Sequence, residues 1–168
     1  MLVTQMNKLT SCLFAICMTI LMATSATANV LNFDDTKKLF LIGDKADRIG
    51  TDIAAENIML QGPSSDCMRD LDEVASRISD STTLLGELNE IAGLMLHKDD
   101  ESLVLQVVRI TIKRELKSNN LNRSRVNEVM GLCGSNAVVS TKGQVLLDLI
   151  DEVTSAVQPI AQRLGVHE

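Results

Sequence analysis

The chain has 168 residues, a formal charge of −6 at neutral pH, and a composition that is 45% hydrophobic but only 2% aromatic. This acidic balance argues against nonspecific binding to nucleic acid or to an anionic membrane surface. With no Trp, no Tyr and three Phe, a core of aliphatic residues and Met favours helical packing over a β-sandwich.

The first residues have the features of a secretory signal peptide. Residues 9–28 are mostly apolar, follow Lys8, and end in an Ala-Thr-Ala pattern. We therefore predict cleavage between Ala28 and Asn29, which leaves residues 29–168 as a single helical domain in the periplasm or outside the cell. An uncleaved anchor helix is an alternative, although the apolar part is short for the roughly 20 residues of a membrane span.

A lipoprotein signal is a second alternative for this segment. The letters Leu-Thr-Ser before Cys12 resemble a lipobox, but no apolar stretch precedes them, and Cys17 follows the bulky Ile16. We therefore reject lipidation. We expect no stable membrane insertion once the signal has been removed.

Apolar residues recur at three- and four-residue spacing through almost all of the remaining chain, which predicts amphipathic helices. The first predicted helix covers residues 34–60 and is ended by Gly62 and Pro63. Gly43 and Gly50 lie seven residues apart on one of its faces. They either weaken or kink the helix, or they let another helix approach closely.

The second predicted helix begins near Ser65 or Asp66, which are both good N-cap residues, and runs to about residue 97. The stretch 79–83 is polar and rich in poor helix formers. It predicts a break or a kink in an otherwise continuous apolar seam.

The third segment, residues 101–116, contains β-branched residues that would suit a strand. A strand there would have no partner elsewhere in the chain, and the spacing of its apolar residues fits a helix. Leu103, Val107 and Ile110, followed by the charged Arg114, fit helical spacing. We predict a helix that ends at residues 118–120, followed by a shorter helix over residues 122–132.

The last predicted helix covers residues 141–164, and Pro159 within it predicts a kink or an irregular last turn. The predicted fold is therefore all-α: an up-down helical bundle of four long helices plus one short helix. About 140 residues are enough to bury one core.

Cys67 and Cys133 are the two cysteines that remain after signal removal, an even number in an oxidising compartment. We predict a disulfide between them. In the chain-entropy model a loop of roughly 65 residues contributes about 4 kcal/mol. Two separate buried thiols are the alternative; a redox pair would more commonly be arranged as C-x-x-C.

No recognisable catalytic, metal or cofactor motif follows the predicted signal peptide. The only two histidines, His97 and His167, are far apart. Zinc-protease, EF-hand, serine-elbow and glycine-rich phosphate motifs are missing. The acidic clusters fit first helical turns and exposed faces, where they offset the helix dipole. We predict no catalytic residues, no metal and no cofactor, and hence a protein that is not an enzyme.

These observations favour a non-enzymatic protein-binding or structural module that acts on an unidentified protein partner through a helix face or groove. The alternative hypothesis is a bundle that opens to hold a small apolar ligand or that senses envelope stress. Gly43 and Gly50 in the first helix motivate this alternative.

Overall fold

The computed structural model describes residues 33–94 and 98–166, which form four α-helices and, within those ranges, no β-strand. They are α1 (Phe33–Asn57), α2 (Pro63–Leu94), α3 (Lys98–Cys133) and α4 (Ala137–Arg163). The predicted signal segment, its cleavage position between Ala28 and Asn29, and both histidines lie outside the described residues.

The all-helical class is confirmed, but the prediction of four long helices plus one short helix is wrong. α3 is a single helix of 36 residues that continues through residues 118–120, where we predicted an end. Asn119 in that stretch is only 2% exposed. Leu116 before this stretch and Val126 after it are also buried, so the packing of these apolar neighbours overrides the weak intrinsic helix propensity of the polar segment.

The predicted break at residues 79–83 is also wrong, because α2 crosses this stretch without interruption. Thr82 is fully buried there. Its hydroxyl donates a hydrogen bond to the carbonyl of Ile78, one turn earlier, at 2.7 Å. The buried polar group is thus satisfied by the helix's own backbone.

α1 and α2 are joined by a short turn built on Gly62 and Pro63. α1 ends at Asn57, slightly before the predicted Leu60, and Gly62 has a φ of 61°, a conformation that favours glycine. Pro63 then opens α2, because the first helical position needs no N–H donor. The Gly-Pro pair therefore ends one helix and begins the next.

α4 begins four residues earlier than predicted because Asn136 caps it. Its side-chain oxygen accepts hydrogen bonds from the backbone N–H groups of Val138 at 2.9 Å and Val139 at 3.4 Å. At its other end the helix continues past Pro159 to Arg163. Pro159 lies on the exposed side, so the missing N–H does not end the helix.

The helices form a bundle in which α2 and α4 each contact all three other helices, whereas α1 and α3 do not contact each other within the described residues. The core is aliphatic. Its largest fully buried side chains include Leu39, Ile42, Ile53, Met68, Leu71, Ile78, Ile112, Leu146, Leu149 and Ile150. Among the residues described, no helix has the length and hydrophobicity required to span a membrane.

Candidate binding site between the second and third helices

The predicted cysteine pair is present at disulfide distance. The sulfur atoms of Cys67 and Cys133 are 2.02 Å apart, their Cα atoms are 6.5 Å apart, and both residues are buried. Because Cys67 lies near the start of α2 and Cys133 is the last residue of α3, the bond joins these two helices at one end.

α2 and α3 run antiparallel, and cross-helix contacts set their register. The Ser81 hydroxyl donates to a carboxylate oxygen of Glu115 at 3.0 Å. Arg125 donates to Asp70 at 2.9 Å. The contact that lies later on α2 therefore lies earlier on α3, as expected for antiparallel helices. Moving forward from Ser81 and backward from Glu115 leads to the same end of the helix pair.

Five large apolar side chains flank this pair of helices and are between 42% and 69% exposed. We call them the apolar stripe: Leu84, Ile91, Leu103, Val107 and Ile110. Leu84 and Ile110 line one groove of about 430 Å³ between the helices, the α2–α3 groove. Ile91 follows Leu84 by two turns and Leu103 precedes Ile110 by two turns. The antiparallel arrangement therefore extends the stripe in one direction from the groove.

The groove also contains a buried carboxyl group. Glu115 is only 3% exposed. Burial raises the pKa of its carboxyl group, and the hydrogen bond from Ser81 partly opposes that rise. A carboxylate has about four acceptor positions, so the Ser81 hydroxyl satisfies only part of its hydrogen-bonding capacity.

Charged side chains surround the opening of the groove. Arg77, Asp80 and Arg114 line it together with Glu115. The guanidinium of Arg77 is hydrogen-bonded to Glu73, one turn earlier on α2. The charges of the four lining residues balance in number, but only the glutamate is buried.

α3 has an unusual distribution of side chains across its two faces. Its buried face includes Glu115, Asn119 and Asn122 at successive turns, each no more than 3% exposed. Both side-chain polar atoms of Asn119 lack a hydrogen-bond partner within the described residues. The middle of α3 therefore presents polar groups to the bundle, while its outer side carries part of the apolar stripe.

Sequence reasoning missed this site because the apolar residues that indicated the helix lie on its exposed face. Leu103, Val107 and Ile110 supported the prediction of a helix, but the side chains that face the core are Val108, Ile112 and Leu116. The available signal was the presence of two apolar stripes on one helix, of which a bundle can bury only one.

A second hollow, of about 300 Å³, lies between α1 and α2 and is lined by small and acidic residues, including Asp47, Asp72 and Asp80. In residues 33–94 and 98–166, no three or more His, Cys, Asp or Glu side chains are grouped so that they could hold a metal ion. The α2–α3 groove, which combines apolar walls with a buried charge, is the stronger candidate for recognition.

Comparisons were made with protein-family models, with curated proteins and with solved structures. None of the three comparisons finds a match to this chain.

Proposed function

We propose that this protein is a non-enzymatic, periplasmic or secreted module that binds an amphipathic helix of a partner protein in the α2–α3 groove. The observation that carries the proposal is the exposed apolar stripe. Monomeric proteins rarely leave large contiguous apolar patches on their surface unless the patch binds something. The stripe continues out of a groove with a buried carboxyl group, whereas other exposed apolar residues such as Leu41 and Leu132 do not line that groove.

The dimensions of the stripe suit a helix. Leu84 and Ile91 are separated by seven residues, or about 10 Å along the helix axis. Leu103 and Ile110 have the same separation. A partner helix with apolar residues at positions i, i+3 or i+4, and i+7 spans the same length, and this is the usual mode by which a helix binds in a groove.

The extracytoplasmic location is supported by the sequence of residues 9–28 and by the Cys67–Cys133 pair, because disulfides persist in oxidising compartments. N-terminal sequencing of the protein recovered from the periplasm or the culture medium tests it. We expect the chain to begin at Asn29. A chain recovered only in the cytoplasm with its N-terminal segment intact would contradict this location.

A specific observation also favours a second candidate function, the binding of a small apolar ligand. The α2–α3 groove has a volume of about 430 Å³, within the roughly 300–1,000 Å³ of typical ligand sites. Such sites enclose most of their ligand, however, whereas the apolar stripe is open to solvent along its length. Because the stripe is open, we prefer a partner helix to a small ligand as the proposed binding partner.

Site-specific photocrosslinking tests the proposed function. A photoreactive benzoylphenylalanine is placed at Ile110, or at Leu132 as a control about 30 Å further along α3. We expect a protein adduct at position 110 in the native host that is lost when Leu84→Ser is added. Adducts of equal yield at position 132 contradict the proposal. Small-molecule adducts confined to position 110 favour the second candidate.

A further inference from the structure

We propose that Glu115 makes the α2–α3 groove selective for a partner helix that carries a lysine or arginine at the end of its apolar face. This inference rests on the proposed function and adds the chemistry of the partner. A cationic side chain entering the groove would pair with the Glu115 carboxylate while the neighbouring apolar residues of the partner cover the stripe.

The argument begins with the electrostatics of the free protein. Glu115 lies at the groove with its side chain almost fully buried, and a buried carboxylate is unfavourable unless it is paired. The Ser81 hydroxyl donates a hydrogen bond to this carboxyl group, and burial raises its pKa. Arg77 and Arg114 line the same groove, but within residues 33–94 and 98–166 neither guanidinium forms an ion pair with the Glu115 carboxylate. Among the described residues, the groove therefore holds a buried carboxyl group with no cationic partner.

The surroundings would make such a pair strong and selective. Leu84 and Ile110 line the groove beside Glu115, and a helix packed on them excludes water. Charge-assisted hydrogen bonds strengthen when water is excluded. At the opening of the groove a ligand meets Asp80 together with the cations Arg77 and Arg114, whereas at its buried end it meets the carboxyl group of Glu115 alone. The buried end of the groove therefore favours a cation over an anionic head group.

The position of Glu115 along the groove also fixes a pattern in the partner. Ser81 and Glu115 face each other, Leu84 is about one turn from that level, and Ile91 is about three turns from it. The stripe extends from Glu115 in one direction only. A matching helix has a cation at position i and apolar residues at i+3 or i+4, i+7 and i+11, read in either chain direction.

A peptide library tests this pattern. The probe is a phage-displayed amphipathic helix with leucines at positions i+4, i+7 and i+11 and every amino acid at position i, presented to oxidised protein that begins at Asn29. We expect Lys and Arg to be enriched at least tenfold over Leu at position i. We expect a synthetic Lys peptide to bind roughly 10 to 100 times more tightly than its norleucine counterpart.

Glu115→Gln supplies the central control, because it keeps the length of the side chain and an acceptor for Ser81 while removing the charge. We expect the preference for Lys and Arg to disappear in this variant, with the leucine positions still required. Circular dichroism establishes that the variant is folded. Ser81→Ala, which keeps the carboxylate and removes its internal donor, should retain the preference.

The experiment distinguishes failure of this inference from failure of the proposed function. If the protein retains apolar helices with no preference at position i, or if Glu115→Gln keeps the preference, the proposed role of Glu115 is wrong. The proposal that the groove binds a helix is then unaffected. If retention is unaffected by Leu84→Ser with Ile110→Ser, or if no helix is retained, the proposed function falls as well. Leu132→Ser is the matched variant outside the groove and should change nothing.

Discussion

The two faces of α2 are used in opposite ways. Toward α1, glycines allow close approach of the two helices, and the ring of Phe40 packs against Gly86. Gly43 lies so close to α2 that an added Cβ would be 2.8 Å from the Thr83 hydroxyl, and a Cβ on Gly50 would be 3.2 Å from a carboxylate oxygen of Asp72. Toward α3, large apolar residues remain outside and a carboxyl group lies inside.

The two faces of α2 therefore differ in how completely their apolar neighbours are covered. α1 and α2 approach each other closely at Gly43, and Asn89 donates to the Thr36 hydroxyl of α1 at 2.5 Å. The α2–α3 pair instead leaves apolar area uncovered. Apolar burial contributes about 25 cal/mol per Å². Covering the exposed stripe is therefore the source of binding free energy for the partner helix proposed above.

The largest predicted effect comes from separating α2 and α3 at their covalent link. We expect the double variant Cys67→Ser with Cys133→Ser to lower the free energy of unfolding by about 2–5 kcal/mol, because the unfolded chain is no longer restricted by a closed loop. Urea denaturation of oxidised wild type and of the variant measures the difference. Equal midpoints and equal denaturant dependence would show that the link does not stabilise the protein.

The next effect concerns the close contact of α1 with α2. We expect Gly43→Ala to lower the free energy of unfolding by about 1–3 kcal/mol, because its methyl group overlaps the Thr83 hydroxyl and overpacking is destabilising. Gly131→Ala is the matched control, since nothing lies within 4 Å of its Cβ position on α3. It should stabilise by up to about 1 kcal/mol through helix propensity. Thermal unfolding of both variants measures whether each substitution lowers or raises the stability. Stabilisation by both would mean that the α1–α2 contact is loose.

A smaller effect, which depends on pH, is expected at Glu115. Its pKa is raised from the ordinary value of 4.5 because burial disfavours the charged form. The unfolded chain therefore ionises this group more readily, so wild-type stability decreases as pH rises from about 4.5 through the raised pKa. We expect Glu115→Gln to melt at a higher temperature than wild type at pH 7. The difference should shrink as pH is lowered toward 4.5.

Melting curves of wild type and Glu115→Gln across this pH range measure the effect. The charged groups that line the groove around Glu115 are Arg77, Asp80 and Arg114, and they are unchanged in the comparison. A melting-temperature difference that is constant with pH would contradict a buried carboxyl group with a raised pKa.

The smallest effect on stability is expected on the apolar stripe. Leu84→Ser with Ile110→Ser should change the free energy of unfolding by only about 0.5 kcal/mol at each position, since both side chains are at least half exposed. Leu39→Ser in the buried face of α1 should cost several times more. Denaturant titration separates the two cases. A large loss in the stripe variant would mean that these residues stabilise the bundle and are not reserved for a partner.

The sequence predicted the helical class and the cysteine pairing because both rest on local or countable features. The spacing of apolar residues over residues 101–116 indicated a helix despite its β-branched residues. The two cysteines that follow the predicted signal peptide allow only one intramolecular pair. The predicted helix interruptions at 79–83 and 118–120 are wrong, because both stretches lie inside continuous helices that pack in the bundle. Thr82 and Asn119 in these stretches are buried, and helix propensity alone does not report burial.

The candidate groove could not be predicted for a different physical reason. Periodicity identifies an apolar face but does not say which of two faces is buried, and α3 has two. Burial of Glu115 depends on where α2 packs, and the spacing of residues along α3 carries no information about that position. Gly43 was left open between a weak point and a close approach, and its contact with Thr83 supports the close approach.

The link between Cys67 and Cys133 turns α2 and α3 into a covalent ring, with the polypeptide joining them at one end and the two sulfurs at the other. The bond fixes the separation of the two helices at the end that carries Cys67 and Cys133. Because the α2–α3 groove lies between the same two helices, reduction of the bond removes one restraint on the relative position of its walls. We therefore expect the helix binding proposed above to differ between the oxidised and the reduced protein.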